Sequence, residues 1–161
     1  MDRLENALLK DVNLDEVGPK PHRRKNPVDH WSPAVLLERA AYLRKMAKLG
    51  DGSASETLKE YPQHCVMLSF RSRDGEAEVH ERFADLFCVL AGTAMLATGG
   101  VVAKARAVAP GETRGASIEG GARQTLRAGD VAHVPAGTPH QILVKGEDTI
   151  TCLVVKVQQV L

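Results

Sequence analysis

The chain has 161 residues, 43% of them hydrophobic, enough for one domain that buries roughly 70% of its unfolded surface without disulfides. Its 21 basic and 20 acidic side chains leave a formal net charge of +1, which argues against nucleic acid or a membrane surface as the main partner. No apolar run approaches the roughly 18 residues of a membrane span and no secretory leader opens the sequence, so we expect a cytoplasmic protein, or a periplasmic one whose leader has been removed.

The chain divides into an N-terminal arm, residues 1–31, a helical segment, residues 32–62, and a larger domain, residues 63–161. The arm is polar and contains the basic patch Lys20–Lys25. Because aromatic residues do not interleave the patch, we expect a solvated tail or a contact with a partner subunit rather than a phosphate site.

The helical segment carries start and stop signals. Ser32 and Pro33 suit the N-cap and the first helical position. Gly50 or Gly52 ends the helical pattern. The apolar stripe between these signals consists of Val35, Leu36, Ala40, Leu43 and Ala47. We expect this helix to cover one face of the larger domain or a dimer seam.

The larger domain has the pattern of an all-β fold. Short apolar runs between glycine-rich turns recur at Cys65–Phe70, Ala84–Leu90, Thr93–Ala97, Val101–Val108, Ala116–Ile118, Val131–Val134, Gln141–Val144 and Thr149–Val157. Such spacing predicts an antiparallel sandwich or barrel of about eight or more strands. The cysteines Cys65, Cys88 and Cys152 fall inside these runs without CxxC spacing, so we expect reduced thiols that act as small hydrophobic residues.

One histidine is held by a rigid turn. A turn at Gly129 precedes the apolar run Val131–Val134, and Pro135–Pro139 then reverses the chain, because proline cannot continue a strand ladder. His140 opens the next strand, where a metal ion or a substrate can meet its imidazole.

A second group of polar residues lies upstream. Because side chains alternate along a strand, Glu78 and His80 point the same way and Val79 points the other way. Asp85 begins the next run, and Gly92 is expected to close a hairpin.

The two segments together resemble the cupin superfamily. Its second motif, G-x5-P-x-G-x2-H-x3-N, is matched by Gly129, Pro135, Gly137 and His140. Its first motif, G-x5-H-x-H-x3–4-E-x6-G, is matched in part by His80, Asp85 and Gly92. The resemblance implies a single-domain double-stranded β-helix, or jelly-roll barrel, preceded by the arm and the helix. It also implies a homodimer, and open strand edges and an amphipathic helix need burial in any case.

The first motif departs from the family pattern at three positions, and the second at one. Glu78 stands where the first histidine is usual, and Asp85 replaces a glutamate that is longer by one methylene. Ser72 or Arg73 takes the place of the opening glycine, and Val144 takes the place of the closing asparagine of the second motif.

The remaining residues still form a plausible metal-ligand set. His80 and His140 offer imidazole nitrogens, and Asp85 and Glu78 offer carboxylate oxygens. Two imidazoles and a carboxylate suit one divalent transition metal. The second carboxylate favours Fe or Mn, with Zn as the rival and Ni or Co as alternatives.

Two residues are candidates for proton transfer. Glu78 is either a metal ligand or a general base beside the metal. His133 lies on the same face of its strand as Val131, and we consider it as an acid or base lining the cavity, against the alternative of a structural histidine.

Arg106, Arg114 and Arg123 are candidates to pair with an anionic substrate.

The function predicted is a metal-dependent enzyme that acts on a small oxygen-rich or carboxylated molecule. Isomerisation, lyase chemistry, decarboxylation and dioxygenation all remain open, because one scaffold supports many reactions. The alternatives are a non-catalytic module that binds a small ligand and a structural or storage role. No helix-turn-helix or basic recognition helix is evident, which argues against a DNA-binding sensor.

Overall fold

The computed structural model describes residues 28–159, which form one helix and twelve strands. Helix α1 spans Pro33–Leu49. The strands are β1 Ser53–Glu60, β2 His64–Arg71, β3 Ala77–His80, β4 Phe83–Thr98, β5 Val101–Ala103, β6 Arg106–Ala109, β7 Glu112–Gly115, β8 Ser117–Glu119, β9 Ala122–Arg127, β10 Val131–Val134, β11 His140–Leu143 and β12 Ile150–Gln158. Most of the predicted arm, with its basic patch, lies outside the described residues.

Helix α1 has the predicted start and stop. The side chain of Ser32 accepts a hydrogen bond from the backbone N–H of Val35, and Gly50 caps the C-terminus. The buried face of the helix packs on the outer face of β2, and this contact consists of Ala40, Leu43, Ala47, Leu68 and Phe70. The helix therefore covers a barrel face.

The segment predicted to be helical, residues 32–62, is a helix only as far as Leu49. Ser53–Glu60 is strand β1, which pairs antiparallel with β2. Its apolar residues Ala54 and Leu58 pack into the cluster under the helix. Pairing with a neighbouring strand decides the conformation here, and the sequence pattern did not reveal it.

Two antiparallel sheets enclose the barrel and share strand β4. The N-terminal half of β4 pairs with β12 and β10, and β12 continues to β2 and β1. The C-terminal half pairs with β9 and β11, and the sheet continues through β3 and β7 to β6. Hydrophobic residues from both sheets meet between them, among them Phe87, Leu96, Leu126, Ile142 and Val154.

The predicted hairpin at Gly92 is not present, because β4 runs without interruption from Phe83 to Thr98. Gly92 has φ +83°, and a Cβ atom there would lie 1.9 Å from the carbonyl oxygen of Thr149. The absence of a side chain at Gly92 therefore lets the backbone of Thr149 lie close to β4, at the point where β4 passes from one sheet to the other. The run predicted at Val101–Val108 is divided instead, into β5 and β6, next to Lys104 with φ +51°.

The strand register places polar residues on the inner face of the barrel. Lys156 of β12 lies opposite Asp85 of β4, and His140 of β11 lies opposite Glu78 of β3. Opposite residues share one face of a sheet. Both pairs therefore contribute side chains to one interior space.

The three cysteines are free, as predicted. Burial raises the pKa of the Cys152 thiol to about 12. Within residues 28–159, no helix is long and apolar enough to cross a membrane.

Candidate metal centre

The turn before His140 brings the two sequence segments together. The backbone N–H of Gly137 donates to the carbonyl oxygen of His80 at 2.8 Å, and the N–H of Gly99 donates to the carbonyl of Pro139 at 2.8 Å. Gly137 has φ +76°, which glycine adopts without strain. The turn is thus fixed at both ends, and it delivers His140 beside strand β3.

His140 presents one nitrogen to the interior. Its Nδ1 lies 3.1 Å from the carbonyl oxygen of Thr138, which can only accept, so Nδ1 carries the hydrogen. Its Nε2 is buried, and among residues 28–159 it has no hydrogen-bond partner. Nε2 lies 3.4 Å from Oδ2 of Asp85 and 3.8 Å from Oε2 of Glu78. A nitrogen lone pair this close to two carboxylates requires a proton or a cation between them.

His80 is held in the same way. A short contact joins its Nδ1 to the carboxylate of Glu112. Its Nε2 faces Oε2 of Glu78 at 3.2 Å and Oδ2 of Asp85 at 3.5 Å. A side chain that the sequence did not single out, Lys156, brings its Nζ to 2.9 Å from this same Nε2.

Lys156 is also the closest partner of Asp85. Its Nζ lies 2.9 Å from Oδ1 and 2.8 Å from Oδ2. Burial opposes ionisation of Asp85, but the neighbouring imidazoles of His140 and His80 and the Lys156 ammonium hold the pKa of this carboxyl well below its usual range. Asp85 is therefore a carboxylate, although only 2% of its side chain is exposed.

Glu78 is ionised for a related reason. Burial would raise the pKa of Glu78, but the hydrogen bond with His80 and the charges of Arg114 and His140 outweigh burial and lower it to about 2. The guanidinium of Arg114 contacts one carboxylate oxygen of Glu78, Oε1. The other oxygen, Oε2, is the one that faces the two imidazoles.

The surroundings favour a positive charge at Nε2 of His80. Burial and the charge of Lys156 lower the pKa of this imidazole, but hydrogen bonds to Asp85, Glu78 and Glu112 outweigh both and raise it to about 10. A proton, an ammonium group or a metal cation would each supply that charge.

Glu78, Asp85, His140 and Lys156 line a partly open cavity of about 280 Å³. Its polar lining includes Ser55, Ser69, Arg71, Glu78, Asp85, Arg114, His140 and Lys156, and its apolar lining includes Met67, Phe87, Ile142, Ile150 and Val154. Of the three arginines considered from the sequence, Arg114 lines this cavity, whereas Arg106 pairs with Glu76 at the surface and Arg123 is exposed.

Four of the five predicted site residues come together. Glu78, His80 and His140 each offer a ligand atom within 4.8 Å of the others. The carboxylate of Asp85 lies within 3.5 Å of both imidazoles.

The prediction for His133 is corrected. Its side chain is exposed, and it is not among the residues that line the cavity. His133 lies opposite Leu86, whereas Val134 lies opposite Asp85. Neighbouring residues on a strand face opposite sides, so His133 points away from the site.

Two functional neighbours were not predicted, Lys156 and Glu112. Lys156 interrupts the apolar run Thr149–Val157. An isolated charged residue in a strand that is otherwise apolar could have identified it as a buried partner of another charge. Glu112 follows a Pro-Gly turn and resembles an ordinary surface residue in the sequence. Its place beside His80 comes from the pairing of β3 with β7, in which His80 lies opposite Glu112.

The donor set suits a divalent transition metal. Imidazole nitrogens and carboxylate oxygens are the ligands of such ions, and metal-bound histidines usually donate their second N–H to a carboxylate or a carbonyl. Glu112 and Thr138 supply these two acceptors here. The unpartnered Nε2 of His140 is the atom that fits a metal best.

Comparisons with known proteins bear on the fold. No protein-family model matches the sequence, and no curated protein matches it. Among solved structures, a Thermus thermophilus protein, TT1209, is 16% identical with a TM-score of 0.50, over 71% of this chain and 95% of that one. The DMSP lyase DddQ of Ruegeria pomeroyi is 18% identical with a TM-score of 0.50, over 69% of this chain. This chain matches only 49% of the length of DddQ.

A cupin superfamily protein of Desulfitobacterium hafniense is 17% identical with a TM-score of 0.46, over 65% of this chain and 76% of that one. At these identities the likeness concerns the fold alone. The structural neighbours include proteins named as cupin superfamily members, and this chain is itself mostly β, with two curled antiparallel sheets.

Proposed function

We propose that the cavity holds one divalent transition metal, bound by His80, His140 and Glu78, with Asp85 as a fourth ligand. The observation that carries the proposal is the orientation of the two imidazoles. Acceptors engage both Nδ1 atoms, so both Nε2 atoms point at the carboxylates of Glu78 and Asp85. A cation between these atoms would relieve the repulsion among them.

The protein is proposed to be an enzyme. A metal bound there would polarise a carbonyl or activate dioxygen. The ligand set suits Fe or Mn first, Zn as the rival, and Ni or Co as alternatives. Isomerase, lyase, decarboxylase and dioxygenase chemistry all remain compatible with this site.

The cavity supports a small anionic substrate. Its volume of about 280 Å³ is near the lower end of ligand pockets, which begin at roughly 300 Å³. Arg71, Arg114 and Lys156 bring positive charge to its lining, although Arg114 pairs with Glu78 and Lys156 with Asp85. A carboxylated or oxygen-rich molecule would meet these cations while its oxygens face the metal.

Metal analysis tests the proposal. The protein is purified without a metal-affinity tag, loaded with Fe(II), Mn(II) or Zn(II), and analysed for metal content. We expect about one ion per chain, and a strong loss of binding in His140→Ala because the nitrogen aimed at the ion is removed. His133→Ala is the matched control, since this exposed histidine lies outside the cavity. Unchanged occupancy in His140→Ala would contradict the ligand assignment.

A second candidate is a non-catalytic module that binds a small ligand without metal. The contacts of Lys156 favour it, because the ammonium already pairs with Asp85 and His80. Metal content near zero after every loading attempt, together with saturable binding of a small carboxylate, would support this candidate. The homodimer and the cytoplasmic location also remain predictions.

A further inference from the structure

We propose that Lys156 is an internal competitor for the metal centre, and that a metal binds only when the Lys156 ammonium leaves His80 and Asp85. The inference rests on the proposed metal function. It adds a residue that lowers metal affinity and that couples metal binding to a movement inside the substrate cavity.

The ammonium occupies the position that a cation would take. Nζ lies 2.9 Å from Nε2 of His80, 2.9 Å from Oδ1 of Asp85 and 2.8 Å from Oδ2. These atoms belong to two of the four proposed ligands. All three contacts are within ordinary hydrogen-bond range.

The competition follows from the chemistry of imidazole. When His80 is neutral, as it must be to bind a metal, the hydrogen on Nδ1 faces Glu112 and Nε2 has a single lone pair directed into the site. One lone pair cannot both accept a hydrogen bond from Lys156 and bind a metal. Lys156 and a metal therefore cannot occupy Nε2 of His80 at the same time, whether or not Asp85 is also a ligand.

The cavity gives the displaced side chain a place to go. Lys156 lines the cavity, and 25% of its side chain is exposed, against 2% for Asp85. The lysine stem is flexible, whereas Asp85 is fixed in a central strand. In the metal-bound state the freed ammonium would lie in the cavity, where it can pair with a substrate anion.

Lys156 also has a role without metal. Asp85 is buried, and a buried carboxylate without a partner is strongly destabilising. The ammonium therefore stabilises the metal-free barrel by compensating the charge of Asp85, and a bound metal would compensate the same charge. A purely structural lysine would behave differently, since its loss would not strengthen metal binding.

The first experiment measures Zn²⁺ affinity by calorimetry on chelator-stripped protein. The variants are Lys156→Met, which removes the charge, and Lys156→Gln, which keeps a neutral donor for Asp85 in case the first variant fails to fold. Lys145→Met, at an exposed loop position, is the matched control. We expect the two Lys156 variants to bind Zn²⁺ about tenfold more tightly or better, and the control to match the wild type.

The second experiment uses the wild-type chain. Reductive methylation of amines, read by mass spectrometry, reports how accessible each lysine is. We expect saturation with Zn²⁺ to speed the modification of Lys156 and to leave that of Lys145 unchanged.

The outcomes separate the two proposals. If the wild type binds Zn²⁺ as tightly as both Lys156 variants and its Lys156 reactivity is constant, the competition is refuted and the metal function stands. If only the Lys156 variants bind Zn²⁺, Fe(II) or Mn(II), the competition is supported and the metal function of the natural chain is refuted. If no form binds Zn²⁺, Fe(II) or Mn(II), both proposals are refuted.

Discussion

At the residue scale, the candidate metal site depends on which side-chain atoms of Glu78, His80 and His140 face one another. Strand alternation predicted that Glu78 and His80 share a face, and the turn predicted that His140 begins a strand; the structure brings all three together. Alternation within one strand cannot say how that strand is placed against another. His133 was therefore misplaced, and Lys156 was not recognised opposite Asp85.

The role of Glu78 can be tested by replacing its charge. In Glu78→Gln we expect Zn²⁺ affinity to fall about tenfold to a hundredfold, because a neutral amide oxygen is a weaker ligand than a carboxylate. Calorimetric titration measures the change. Glu76→Gln is the control, since Glu76 is more exposed and pairs with Arg106. Unchanged affinity in Glu78→Gln would exclude Glu78 as a ligand, and a loss of activity with the metal retained would assign it as a base.

At the element scale, strand β4 connects the two sheets and positions Asp85. The sequence predicted its two halves as separate strands with a hairpin at Gly92, because glycine is common in turns. The glycine instead allows the backbone of Thr149 to pass close to an unbroken strand. A close approach between distant segments leaves no local pattern, so this use of glycine could not be distinguished from a turn.

Gly92→Ala tests this interpretation. We expect a loss of about 2 kcal/mol or more in the free energy of unfolding, because the residue has φ +83° and its new Cβ would clash with the carbonyl of Thr149. Urea unfolding measures the loss. Gly129→Ala is the matched control, since Gly129 has φ +92° but no atom within 4 Å of the added Cβ. Equal losses in both variants would mean that the close approach at Gly92 contributes nothing.

At the scale of the whole molecule, the candidate site joins the two sheets. Asp85 and Lys156 belong to the sheet of β12, whereas Glu78, His80 and His140 belong to the sheet of β3 and β11. The regular turns predicted an antiparallel sandwich or barrel, and the resemblance implied a jelly roll with a metal site at these residues. The order of the strands was not predictable from local patterns, because it is set by contacts between segments far apart in the chain.

A metal bound between the sheets should stabilise the whole barrel. At a Zn²⁺ concentration of about 100 times the dissociation constant, binding to the folded state alone adds roughly 2.7 kcal/mol. For a chain of this length that corresponds to a rise in Tm of roughly 5–10 °C, measurable by calorimetry. His140→Ala should lose the rise, and His133→Ala should keep it. At the same Zn²⁺ concentration, Lys156→Met should begin at a lower Tm and gain more than the wild type, since the metal would replace the positive partner that the buried Asp85 carboxylate has lost. An equal rise in wild type and His140→Ala would place the stabilising ion elsewhere on the protein.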